Sequence, residues 1–270
     1  MTKYLHGLAL CFLVTLLGIF LSSLIGERLL GFGKSPISPI LLAIVIGVII
    51  SNTFTLHSKY KAGMQFASTY VLKTGVAILG IGISFMQILE VGRVVIPVVC
   101  ITIISGLLLA FVCKKIFNLD YKLATLIGVG TSICGATAIA ATSPIIDAKQ
   151  EHTAYAISVI AIFGTVAMSV YPYGVNYLFD SSLAKGIFLG SSIHDTSQVI
   201  GAGLIYTEQY GNSEVLDITT ITKLIRNSLM ALVIPFIAYF YYRINTNSES
   251  KNTAFDYKKA FPLFILFFIL

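Results

Sequence analysis

Long apolar runs recur along this chain, each bounded by charged or turn-forming residues. They fall at 5–25, 37–52, 63–88, 94–112, 123–146, 153–172, 184–206 and 217–242, and a further run begins at Phe261. A helix of about 20 apolar residues matches the hydrocarbon thickness of a bilayer. The pattern therefore predicts an all-α polytopic membrane protein with about eight to nine transmembrane segments, in a single transmembrane domain over residues 1–270. The first run follows Lys3 and is too long for a signal-peptide core, so it reads as an uncleaved first span. The last, "FPLFILFFIL", is only about half a span, and the expectation is that further spans follow Leu270.

Composition agrees with this pattern. Hydrophobic residues make up 56% of the chain and charged residues 11%, against about 25% charged in a soluble domain. The net charge of +6 is then a matter of loop charges that set orientation, and not a sign of nucleic-acid binding. With the N-terminus inside, the inner segments hold eleven Lys and Arg and the outer segments four, the latter being Arg28, Lys34, Arg93 and Lys149. This bias places the N-terminus in the cytoplasm. The four cysteines lie in or beside apolar runs, at spacings that suit neither a metal site nor a disulfide framework. No metal or cofactor is expected.

Two stretches interrupt the apolar pattern. Residues 128–142 read "GVGTSICGATAIAAT", poor in large side chains, and "GSSIHDTSQVIG" at 190–201 repeats the first motif's core sixty residues later. Gly130, Thr131, Ser132 and Ile133 align with Gly190, Ser191, Ser192 and Ile193. Paired Gly-interrupted segments are the sequence mark of discontinuous helices at a transporter's binding site. A break in hydrocarbon is tolerated only beside protein or a water-filled cavity. A half-helix beginning at a break offers free N–H groups and the positive end of its dipole to an anion. Gly130, Thr131, Ser132, Gly135, Gly190, Ser191 and Ser192 are thus candidate substrate contacts. The competing reading is close helix packing through small residues. On the span count both broken segments run from inside to outside, whereas an inverted-repeat site needs opposed directions. Either one motif is a re-entrant hairpin or its true partner lies elsewhere.

Ionisable residues within apolar runs mark functional sites. His194 and Asp195 follow the second motif and are candidates for proton coupling, although Asp195 is also a good helix N-cap. Lys73, Lys223 and Arg226 are the three basic residues left inside apolar runs. Lys223 and Arg226, three apart, share a helix face, and Arg suits bidentate contact with an oxyanion. All three are candidate substrate-binding residues, with snorkelling to a surface as the alternative.

The blocks "LKTGVAILGIGISFMQILEVG", "GTSICGATAIAATSPIIDA", "GSSIHDTSQVIGAG" and "ITKLIRNSLMALVIP" resemble the signature blocks of the YeiH-like family of bacterial membrane proteins, whose assigned activity is sulfate export. The similarity runs from about Ile37 to Pro235. It implies a multi-pass secondary transporter of the bacterial inner membrane, with discontinuous helices crossing near the midplane as in the cation/proton antiporter and anion transporter superfamily. Family members are longer at the C-terminus.

Three functions are weighed on these residues. The first is a secondary transporter of a small anion, with sulfate as the substrate the resemblance implies. The second is a cation-coupled carrier of organic anions with the same fold; beyond Asp195 there is no clustered carboxylate for a sodium site. The third, an intramembrane hydrolase using Ser132 or Ser192, is disfavoured because adjacent His and Asp do not form a Ser–His–Asp relay. The expected partners are a small inorganic or organic anion and the lipid bilayer, with no nucleic acid; a homodimer is one assembly compatible with this class.

Overall fold

The computed structural model of the chain describes residues 2–25, 38–54, 57–71, 74–75 and 85–245. All regular elements among them are helical. They are α1 (Thr2–Ser23), α2 (Pro39–Thr53), α3 (Ser58–Phe66, continued by a π-helical turn at Ala67–Val71), α4 (Phe85–Phe117), α5 (Tyr121–Ser132), α6 (Ala136–Thr142), α7 (Gln150–Leu178), α8 (Ser182–Ser192), α9 (Thr196–Tyr210), α10 (Glu214–Ser228) and α11 (Met230–Asn245). Four segments among the described residues are long and apolar enough to cross a membrane: Tyr4–Ser23, Ile88–Phe117, Gln150–Leu178 and Glu214–Tyr241. Pro39–Thr53 is a shorter apolar helix. Large apolar side chains lie exposed along α1, α4 and α7, Phe12, Leu108 and Phe163 among them, as a lipid-facing surface requires.

Two of the predicted spans are not crossings. Asp120 caps α5 by accepting from Lys122 N at 2.8 Å and Leu123 N at 3.3 Å. The chain runs inward to Ser132, turns through Ile133–Gly135, and returns along α6. Lys122 Nζ then donates to Asp147 O at 2.7 Å. Were α5 and α6 collinear, those residues would be more than ~30 Å apart at 1.5 Å per residue. Gly135 makes the turn possible: its φ of 69° and ψ of −126° suit a residue without Cβ. Gly130 lets the two limbs touch, since a Cβ there would lie 2.7 Å from Ile139 Cδ1.

The second hairpin is built in the same way. Ser181 caps α8 through Ala184 N. Ile193 and Asp195 are extended, and a capping box between Asp195 and Gln198 starts α9 in the return direction. Asn212 Nδ2 finally donates to Ser182 Oγ at 3.0 Å, which closes the mouth of the hairpin. Gly211, at φ 72°, ends α9.

α7 relates the two hairpins. It starts at the mouth of the first, where His152 Nδ1 lies 3.5 Å from Asp120 Oδ1. It ends at the mouth of the second, where Asn176 Oδ1 accepts from Lys185 Nζ at 3.2 Å and Tyr206 Oη at 2.8 Å. The hairpins therefore enter the bundle from opposite ends of α7. This corrects the reading of 123–146 and 184–206 as parallel through-going spans. Hydropathy cannot see the difference, because two short apolar limbs carry the same number of apolar residues as one crossing.

The core follows the hairpins. Leu126, Val129 and Ile139 of the first pack with Ile160 of α7 and with Met230 and Ile234 of α11. Leu189, Ile193, Val199 and Ile205 of the second pack with Val175 of α7. Val95 and Val99 of α4 pack with Ile218 and Ile221 of α10. α10 runs alongside α8 at very short range. A Cβ on Gly186 would sit 2.6 Å from Ile218 Cβ, and one on Gly190 would sit 2.6 Å from Thr222 Cβ. Two glycines one turn apart thus set the approach of α10 and bring its inner end to the hairpin tips.

Candidate functional site at the hairpin tips

The two tips meet. A Cβ built on Gly135 would lie 3.5 Å from both N and Cα of Asp195, and 3.3 Å from Ile160 Cγ2. At this junction the carbonyl ends of α5 and α8 converge, and the last carbonyls of a helix have no partner within it. Lys223 and Arg226 of α10 supply the donors. Lys223, 1% exposed, donates to Ile133 O at 3.2 Å, Ile193 O at 3.1 Å and His194 O. Arg226, 2% exposed, donates through Nε to Ser132 O at 2.9 Å, and through its terminal nitrogens to Thr131 O, Ser191 O and Ile193 O. Each cation binds both hairpins. Both neutralise the negative dipole ends of α5 and α8.

The predicted site residues divide into distinct roles. Thr131, Ser132 and Ser191 contribute carbonyl oxygens to Arg226, not donors. The hydroxyls of Ser191 and Ser192 turn back to Phe188 O, at 3.4 and 2.6 Å. The Ser132 hydroxyl is buried without a hydrogen-bond partner and lies against Gly106 of α4. Gly130 and Gly190 are close-packing positions, while Gly135 is at the tip itself. Asp195 accepts from Ser197 N at 2.9 Å and Ser197 Oγ at 2.5 Å. His194 Nδ1 is buried and has no hydrogen-bond partner. Lys73 lies outside the described residues.

One residue at the junction escaped the sequence reading. Asn227, 2% exposed, donates to Thr196 Oγ1 at 3.1 Å, and its Oδ1 has no partner. Its position next to Arg226 in "ITKLIRNSL" was the signal the sequence offered; its burial was not legible there. Gln198 also braces the second tip: its Oε1 accepts from Asp195 N at 3.3 Å, and its Nε2 donates to Ala161 O at 3.1 Å and Thr165 Oγ1 at 3.3 Å.

The local charge can be counted. Two basic side chains, Lys223 and Arg226, and one carboxylic acid, Asp195, gather at the junction. Helix ends carry roughly half a charge each, so the two carbonyl ends at the junction offset the two amide ends to first order. Among the described residues no carboxylate pairs with either cation within ion-pair distance.

Apolar helices around two opposed hairpins, with buried cations at their tips, define a membrane protein with a polar centre. The chain belongs to the family described as Conserved hypothetical protein 698, whose profile matches residues 6–270. It is 37% identical over 264 residues to a UPF0324 membrane protein of Streptococcus agalactiae serotype V, covering 98% of this chain and 75% of the relative. A UPF0324 membrane protein of Fusobacterium nucleatum is 35% identical over 275 residues, covering 100% of this chain and 75% of the relative. No solved structure matches the chain.

Proposed function

We propose that this protein is a secondary transporter of a small anion, with its site at the junction of the two hairpin tips. The observation that carries the reading is the pair of buried cations held where oppositely directed hairpins meet. Re-entrant backbone at membrane depth is tolerated only where protein or a water-filled cavity satisfies it, and opposed elements meeting at mid-depth allow access to alternate from either side. Two buried basic side chains against one carboxylic acid at the junction favour an anion over a cation. Arg226 steers the anion electrostatically, and the N-terminus of α9 at Asp195–Gln198 lies beside it. His194, beside the same tip, is the proposed proton-coupling group, with Asp195 holding the backbone that carries it.

Topology supports the same orientation as the charge count. On the span count of the sequence, two re-entrant hairpins put Lys149 on the face of the N-terminus and Lys185 on the opposite face. The exchange leaves the bias at eleven to four over the whole sequence, which supports a cytoplasmic N-terminus. Sulfate is one candidate among small oxyanions.

The test is thermal melting of the purified full-length protein against sulfate, phosphate, nitrate and small carboxylates at two pH values. Proteoliposome counterflow of any anion that raises the melting temperature would follow. Saturable stabilisation by at least one anion, lost in Arg226→Lys, is expected. Folded protein that no anion stabilises, and no anion crosses, would refute the reading.

A further inference from the structure

Lys223 is bound more like a metal ion than like a side chain. An ammonium has three donors, and Lys223 Nζ meets three backbone carbonyls: Ile133 O of the first tip, and Ile193 O and His194 O of the second. All three come from unwound residues following the carbonyl ends of α5 and α8. Carbonyls at such helix ends form the usual cage for an alkali cation inside a membrane protein. A lysine head is a compact point charge, close in size and demand to such an ion. Arg226 differs, since its planar fork spreads over carbonyls of both helix ends.

We propose that Lys223 is the resident cation of this carbonyl cage and stands where a coupling sodium ion would otherwise bind. The cage joins the tips whether or not anything is transported; the consequence for coupling rests on the transporter reading above. With the position filled covalently, ion coupling at the junction does not use sodium. The other ionisable groups facing Lys223 are Arg226 from α10, Cys134 from the first tip, and His194 and Asp195 from the second. Among these, Asp195 is the one carboxylate, and its oxygen is engaged by Ser197. The cage itself therefore consists of neutral carbonyl oxygens and selects a monovalent cation.

The experiment removes the lysine and offers its replacement. Full-length Lys223→Ala is melted in detergent with sodium, methylammonium or choline at constant ionic strength, beside the wild type. The expected result is a variant that melts several degrees lower and recovers saturably with sodium or methylammonium, but not with choline. The wild type should respond to none of them. Absence of selective recovery would overturn the proposal. So would saturable stabilisation of the wild type by sodium.

Should Lys223→Ala fail to fold, Lys223→Gln keeps donors without the charge. Its recovery by sodium or methylammonium supports the cage; wild-type stability without either ion overturns it. Anion binding by the wild type is read separately, so failure of the transporter reading leaves the cage result distinguishable.

Discussion

Replacing Arg226 by alanine should loosen the joint between the hairpins. Arg226 donates to Ser132 O at 2.9 Å and to Thr131 O and Ser191 O, with a longer contact to Ile193 O at 3.5 Å. Truncating Arg226, itself 2% exposed, strands three backbone acceptors, the buried Ser132 O and the part-buried Thr131 O and Ser191 O. At the modest values measured inside membrane proteins, about 0.6 kcal/mol each, the loss is about 2 kcal/mol. If water does not enter and each acceptor bears its desolvation cost of about 1–3 kcal/mol, the loss exceeds about 3 kcal/mol. At about 2–4 °C per kcal/mol for a domain of this size class, the melting temperature falls by at least about 4 °C. Arg226→Lys keeps the charge but not the fork, and should fall between alanine and wild type. The assay is melting of purified protein followed by tryptophan-free near-ultraviolet signals or a thiol-reactive dye on the native cysteines. An alanine variant that melts with the wild type would refute the claim that Arg226 holds the two tips together.

Four further outcomes follow from the geometry. In a background without native cysteines, Ser182→Cys with Asn212→Cys should cross-link readily, because their side chains meet at 3.0 Å; failure to cross-link in folded protein would restore a through-going span. Gly190→Ala places a Cβ 2.6 Å from Thr222 Cβ and 2.7 Å from Thr219 O, and should destabilise by about 1–3 kcal/mol. Gly47→Ala meets nothing within 4 Å and should be neutral or stabilising by up to about 1 kcal/mol in thermal melts. Slight burial opposes it, but the N–H groups of Leu123 and Lys122, then the charges of His152 and Lys122, hold the Asp120 carboxyl below its ordinary value. Its contribution is therefore present above the unfolded carboxylate pKa of about 3.9 and lost as the pH falls through the lowered folded value; Asp120→Ala should flatten that acid limb and cost about 1 kcal/mol of capping at neutral pH.

Much of the site was legible in the chain. Both motifs do contain a break, at Ile133–Gly135 and Ile193–Asp195; Gly130 and Gly190 themselves stay helical, and the breaks fall at the positive-φ Gly135 and the capping Asp195. Lys223 and Arg226 stood out because charge in an apolar run needs a partner, and both are buried at the breaks. Their partners were not legible. A lysine at position 223 can snorkel, bind a ligand or cap a helix, and only the placement of α10 against Gly186 and Gly190 aims it at Ile133 and Ile193. Asn227 was overlooked for the same reason: its environment is made by Thr196 on another element.

The sequence by itself determined the membrane class, the helical content and the positions of the two breaks, since these depend on local hydrophobicity and backbone preference. Tertiary structure alone decided the direction of the chain after each break. Gly135 permits a turn but does not require a reversal. The reversal is set by contacts between residues far apart in sequence, Lys122 with Asp147 and Ser182 with Asn212. Those contacts made the repeated motif an opposed pair, and they turned two isolated cations into the common anchor of both tips.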